Sequence, residues 1–193
     1  GKKEEALEQY RMVEQKDSSN VTLLLSLSNY YQAEGNDSLY QIYLTKLMLH
    51  PAVDDITRVR MMGVVIRENL TKGGDSTMVM SLFDKILQEP QEHTELLELK
   101  VRYMISLNMS KEIIKPVLYQ MLGIDPEDDT ARQQLLSYAI EDNDTSAVVS
   151  ICKPAVDYKA KSPVYYYYLG VVYFQLDRKE EALVFYEKAL TLW

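Results

Sequence analysis

The sequence predicts an all-α solenoid of about eleven helices, in which a pair of helices repeats roughly every 35 residues. Two observations carry that prediction. Within 163–193, Tyr166, Leu169, Gly170 and Tyr173 fall on one helical face, and after a polar turn Ala182, Tyr186 and Ala189 fall on the facing side of a second helix. A second-helix face of the same kind recurs with its first residue at 6, 40, 79, 114, 147 and 182, giving steps of 34, 39, 35, 33 and 35 residues.

The elements follow in chain order. Residues 1–17 read as a second helix alone, with Ala6, Tyr10 and Val13 on its packing face, and the string KEEALEQY at 3–10 parallels KEEALVFY at 179–186. In 18–51 a first helix presents Leu24, Leu27, Ser28 and Tyr31, and a second presents Tyr40, Leu44 and Leu47. Gly35 lies in the turn between them, where Gly1 stands one repeat earlier, and Pro51 closes the unit. In 52–90 the first-helix face is Val59, Met62, Gly63 and Ile66, with Gly63 expected to admit the partner helix closely. Its second helix, with Val79, Phe83 and Ile86, arrives late, so four or five residues are inserted around 71–75, which Gly73 and Gly74 mark as an extended turn.

The unit 91–126 closes with Ile114, Leu118, Met121 and Pro126; its first helix, over 94–107, is apolar on too many sides for its register to be read. Residues 127–161 supply Ala131, Leu135 and Tyr138, then Ala147 and Ile151, and 162–193 form the last pair. Ser18, Asp37 or Ser38, Asp75 or Ser76, Ser110, Asp144 or Thr145, and Asp177 stand where a side-chain oxygen accepts from an orphan helix N–H, and Asp177 with Glu180 reads as a capping box. Pro116 and Pro154 fall inside second helices, where each is expected to bend the helix or move its start.

Composition sets outer limits. A chain of 193 residues accommodates one globule or five to six such repeats, and a hydrophobic content of 47% is that of an ordinary folded protein. No apolar run approaches the length of a membrane span. Twenty-one basic against 29 acidic residues give a net charge of −8, which repels phosphate backbones, and no basic run exceeds Lys2-Lys3, so no nucleic-acid partner is expected. The single cysteine, Cys152, excludes an internal disulfide but leaves the compartment open. The chain starts at Gly1 with neither an initiator Met nor an apolar signal segment.

No catalytic residue, metal site or cofactor is expected. His50 and His93 lack partners at helical metal spacing and read as helix-end surface histidines. The run Asp125-Pro-Glu-Asp-Asp129 departs from a calcium loop at Thr130, where glycine is needed, and reads as an acidic helix start. Lys72-Gly-Gly-Asp lacks the spacing of a phosphate loop and reads as a turn, and Cys152 reads as a small packing residue. Five Asn-x-Ser/Thr strings begin at Asn20, Asn36, Asn69, Asn108 and Asn143; most fall at helix ends, where such residues serve as caps.

The last pair resembles the tetratricopeptide repeat. That family has an aromatic, Leu three on, Gly next, Tyr three further, Ala after nine, an aromatic after four, Ala after three and Pro after five. Tyr166, Leu169, Gly170, Tyr173, Ala182, Tyr186 and Ala189 match seven of the eight, and the proline would follow Trp193. The resemblance is strong over 1–51 and 163–193 and rests on spacing between them. It implies a right-handed α-α superhelix whose first helices line a concave groove that captures a protein or peptide segment.

The groove positions it implies are Thr22, Leu25, Asn29 and Gln32 in the second unit, Thr57, Arg60, Val64 and Arg67 in the third, and Val164, Tyr167, Val171 and Phe174 in the last. Some members hold a C-terminal carboxylate with a Lys and an Asn four residues apart; here Asn29 matches but Leu25 replaces the Lys, which disfavours that clamp. The apolar stripe around Tyr167 is equally readable as a surface covered by another repeat. The resemblance further implies a segment of a longer bacterial repeat protein, cytoplasmic or in the cell envelope or periplasm, whose truncated ends favour self-association. A structural spacer between flanking domains, or a targeting segment of an enzyme whose catalytic domain lies elsewhere, are the alternative roles.

Overall fold

The computed structural model describes residues 2–193, and the side chains of Lys2 and Lys3 lie outside that description, as does Gly1 with the turn expected there. Among the described residues there are eleven α-helices and no strand: α1 Lys2–Lys16, α2 Val21–Ala33, α3 Asp37–Met48, α4 Asp55–Lys72, α5 Ser76–Ile86, α6 Glu95–Ser106, α7 Lys111–Ile124, α8 Asp129–Glu141, α9 Thr145–Asp157, α10 Pro163–Gln175 and α11 Lys179–Leu192. They fall into two compact units, Gly1–Gln91 and Glu92–Trp193. The fold is an all-α solenoid of helix pairs, with α1 packed against α2 and α3 ahead of the others.

The turn inside each pair is the most regular feature of the backbone. Its central residue is left-handed at Gly35 (φ 69°), Gly73 (60°), Asn108 (52°), Asn143 (54°) and Asp177 (58°). In each case the next N–H reaches back five residues to a helix carbonyl: Asn36 to Tyr31 at 2.9 Å, Gly74 to Asn69 at 3.0 Å, Met109 to Met104 at 3.0 Å, Asp144 to Ala139 at 2.9 Å and Arg178 to Tyr173 at 2.9 Å. These are Schellman closures, and Gly, Asn and Asp are the residues that occupy the left-handed region at least cost. The Asn108 landmark supplies the register of α6, whose buried residues are Leu96, Leu97, Val101, Tyr103 and Met104.

The same closure ends α9, where the Ala160 N–H bonds the Ala155 carbonyl at 2.8 Å, but the left-handed residue is Lys159 (φ 62°). A lysine there carries the Cβ penalty that glycine escapes. Lys159→Gly is expected to raise stability by about 0.5 to 1 kcal/mol, the relief of strain exceeding the added freedom of the unfolded chain. A urea titration reads this as a higher midpoint, and an unchanged or lower midpoint would contradict it.

Caps follow the same residue chemistry, sometimes at shifted positions. Asp54, Asp75, Asp128 and Asp144 accept from the N–H of Thr57 (2.7 Å), Thr77 (2.8 Å), Ala131 (2.8 Å) and Ala147 (2.9 Å). Ser18 is not a cap: Asn20 is, accepting from Leu23 at 3.0 Å. Asp37 and Ser38 already lie inside α3, which Asn36 caps by accepting from Leu39 at 3.1 Å. Ser110 occupies the cap position of α7 without a side-chain bond. The capping box at Asp177 is absent because Asp177 is the left-handed turn residue; Arg178 is the N-cap and pairs its guanidinium with both oxygens of Glu181.

One further expectation is corrected and another is narrowed. The inserted residues near 71–75 form no extended turn; they lengthen α4 by a turn of helix, to 18 residues, and Gly73 ends it. Pro116 and Pro154 lie within continuous α7 and α9 without shifting either start. Each proline is exposed, as is the residue four before it, so the carbonyl that loses its donor faces water.

In the first unit Leu23, Leu24, Leu27, Tyr43, Leu47 and Val53 form a buried cluster, and Tyr31 stacks on Tyr43 at 5.5 Å between centroids. In the second, Tyr103, Ile114, Leu118, Met121 and Leu135 are almost fully buried. The fifth second-helix face runs through Val148, Ile151, Cys152 and Ala155, with Ala147 only half-buried, one residue off the expected anchor. Gly63 does not serve a close approach, since a Cβ there would meet nothing within 4 Å. Gly63→Ala is therefore expected to stabilise the first unit by about 1 kcal/mol through helix propensity alone, read as a rise in thermal midpoint. Among the described residues no helix is long and apolar enough to cross a membrane.

Candidate partner-binding faces

Each unit carries its own first-helix stripe. In the first unit Thr22, Leu25 and Asn29 of α2 are exposed, as are Arg60, Val64 and Arg67 of α4, while Thr57 is half-buried. Gln32, expected as a polar contact for a partner, is already engaged: its Nε2 donates to Glu68 Oε2 and ties α2 to α4. Beyond that pair opens a cavity of about 350 Å³ lined by Gln32, Tyr40, Val65, Glu68 and Asp75. Burial, with the Glu68 charge nearby, pushes the Tyr40 phenol up to about 12. The cavity exists because α4 extends a turn further than the other first helices, which run to 12 or 13 residues.

In the second unit the four consecutive tyrosines separate by helical position. Tyr165 and Tyr166 are buried, Tyr168 is half-buried and Tyr167 is 39% exposed. Tyr167 packs edge-on to Tyr168 (5.2 Å between centroids) and Trp193 (6.0 Å) and tilted against Tyr186 (5.9 Å). Phe174 is 57% exposed, and Val164 and Val171 are half-buried. A cavity of about 290 Å³ lies between α8 and α10, lined by Leu136, Ser137, Ile140, Val164 and Tyr168, with Gln133 and Glu141 at its polar edge. Val164 and Tyr168 thus fall on one face with the α8 residues, Tyr167 packs beside them toward Tyr186 and Trp193, and Thr22, Asn29, Gln32, Arg60 and Arg67 belong to the other unit.

A buried polar group under this face escapes sequence reading. Tyr165, with no exposed surface, donates its hydroxyl to Asp129 at 2.6 Å. Arg132, 4% exposed, donates to the carbonyls of Ile151 (2.8 Å) and Pro126 (2.5 Å), lies 5.6 Å from the Tyr158 ring centroid, and leaves its Nε without a partner. Cys152 is wholly buried, and burial pushes its thiol up to about 12, so it is a packing group rather than a nucleophile. His50 accepts at Nδ1 from the Ala52 N–H at 3.1 Å, and His93 is exposed.

The family model of the tetratricopeptide repeat matches residues 163–193. Among solved structures the chain is similar to MamA, at 12% identity and a TM-score of 0.51, over 89% of this chain and 91% of that one. A second MamA structure matches at 14% identity and a TM-score of 0.47, covering 95% and 84%. YrrB, a tetratricopeptide-repeat protein with an unusual peptide-binding site, matches at 15% identity and a TM-score of 0.44, covering 95% and 91%. No curated protein matches the sequence. Proteins of this fold are in general interaction scaffolds with protein or peptide partners. Residues 163–193 thus match the tetratricopeptide repeat, and over most of its length the chain has a paired-helix fold similar to that of MamA.

Proposed function

We propose that the protein is a non-catalytic scaffold that captures an extended segment of a partner protein along its first-helix stripes, with neither nucleic acid nor cofactor involved. The observation that carries this reading is the exposure of Tyr167 and Phe174 on a helix whose opposite side is fully packed. Large aromatic rings held at a surface by their neighbours bind at little ordering cost, which is how a preformed groove gains affinity. Thr22, Asn29, Arg60 and Arg67 are the polar contacts of the first unit, and Val164, Val171 and the cavity beside α8 are the apolar contacts of the second.

The test compares proteins captured from the source cell by the native chain and by a Tyr167→Ala, Phe174→Arg variant of equal helicity and thermal midpoint. Loss of a specific protein from the variant supports the scaffold, whereas identical captures contradict it and favour a spacer.

A further inference from the structure

Resting on the scaffold reading above, we infer that the second unit selects a partner segment carrying one large apolar side chain next to an arginine or lysine. The apolar residue fills the cavity between α8 and α10, and the cation stacks on the exposed Tyr167–Trp193 rings beside it. Three observations converge on that chemistry.

The cavity, about 290 Å³, is of a size for a single large side chain, and its floor of Leu136, Ile140, Val164 and Tyr168 is apolar. Tyr168, one wall of the cavity, stands edge-on to Tyr167 at 5.2 Å, so cavity and aromatic surface are contiguous. The Tyr167 and Trp193 rings meet at 74°, and Tyr167 and Tyr186 at 52°, so the rings are not stacked on one another, and Tyr167 and Trp193 both keep exposed surface. Ring faces carry the negative end of the aromatic quadrupole and attract guanidinium or ammonium groups.

Three other tyrosine rings of the chain already carry a cation: Lys46 lies over Tyr43, Arg132 over Tyr158 and Arg178 over Tyr173. Among the described residues no cation lies over Tyr167, Tyr186 or Trp193. The charge of the unit favours the same ligand. Residues 92–193 hold 16 acidic against 11 basic side chains, a net charge of −5, and Glu141 stands at the edge of the cavity. An acidic segment would be repelled by this face, and a purely apolar one would leave the ring faces unused.

The experiment selects a displayed library of random twelve-residue peptides on the full chain, then synthesises the consensus with arginine and with its uncharged isostere citrulline. The expected consensus has a large apolar residue adjacent to Arg or Lys. Citrulline should weaken binding about 2- to 5-fold, and that difference should vanish in Tyr167→Ala. Because Tyr167→Ala could loosen α10, the indole N–H signal of Trp193 in the native chain provides a second readout: it should shift with the arginine peptide and much less with the citrulline peptide.

Equal affinity of the two peptides, with binding still lost in Tyr167→Ala, would overturn the cation while leaving the groove standing. Peptides indifferent to both Tyr167→Ala and Phe174→Arg, or no selected peptide, would overturn the groove itself. Concentration-dependent self-association abolished by Tyr167→Ala would assign this face to a second copy of the chain and overturn the inference.

Discussion

Arg132→Ala is expected to destabilise the second unit by about 3 kcal/mol or more. Two charge-assisted hydrogen bonds, to the Ile151 and Pro126 carbonyls, are lost at roughly 1.5–3 kcal/mol each, and a side chain 4% exposed leaves a void. The position explains why an arginine there is unusual. The turn residues Asn143 and Asp177 lie 34 apart, which makes Arg132 the counterpart of Tyr166 one repeat earlier, and Tyr166 is likewise 4% exposed. A site that the last repeat fills with an aromatic ring is filled here by a guanidinium whose Nε has no partner.

Arg132→Met separates shape from charge. Methionine keeps most of the volume and removes the orphaned Nε, whose desolvation costs about 1–3 kcal/mol, and the Ile151 carbonyl faces a further donor along α9. Its loss is expected to be under half that of the alanine variant, as buried charges replaced by apolar groups of similar size often prove nearly neutral. Urea midpoints of the two variants check this. Equal losses would show that the hydrogen bonds, and not the filled volume, hold α8 to α9.

The helices were readable in the sequence wherever a single residue type does one physical job. Anchors such as Leu24, Leu44, Phe83, Leu118 and Ala182 are buried because period and polarity agree there. Asp75 and Asp144 cap as expected because a short carboxylate at a helix start has few other uses. Where one residue type serves two jobs, the sequence misleads. Asn20 and Asn36 cap helices while Asn108 and Asn143 take left-handed turns, and an Asp at 177 belongs to the second group although its spacing to Glu180 imitates the first.

The candidate site was legible in part for a similar reason. Helical phase separates Tyr167 from Tyr166, but phase alone cannot show that Tyr165 is the most enclosed of the four, because that depends on Asp129, 36 residues earlier, as acceptor for its hydroxyl. Gln32 was expected on the first-helix stripe as a polar contact for a partner, yet it bonds Glu68, and that bond depends on how α2 and α4 meet. A left-handed turn residue recurring at 35, 73, 108, 143 and 177 was a signal available in the sequence, and it would have set the register of α6 and α9.

Gly170→Leu tests the register of the last repeat, and the expected result is a loss of about 1 to 3 kcal/mol or more. A Cβ at Gly170 would come within 2.7 Å of Tyr186 Cε1 and 2.8 Å of Cδ1, closer than any real Cβ contact. The ring has little room to yield, since Tyr167 lies against it at 5.9 Å and α10 and α11 are joined by a turn that Asp177 holds in the left-handed region. Even Gly170→Ala meets this clash, so the usual gain from replacing a helical glycine is expected to reverse sign there. Gly63→Ala provides the internal control: the same substitution in α4, where nothing lies within 4 Å, should move the thermal midpoint upward. If both alanine variants shift stability in the same direction, Tyr186 does not pack over Gly170 and the face that orients Tyr167 must be reassigned. If only Gly170→Ala loses stability and the Tyr186→Ala background removes that loss, the contact that holds the aromatic surface in place is established.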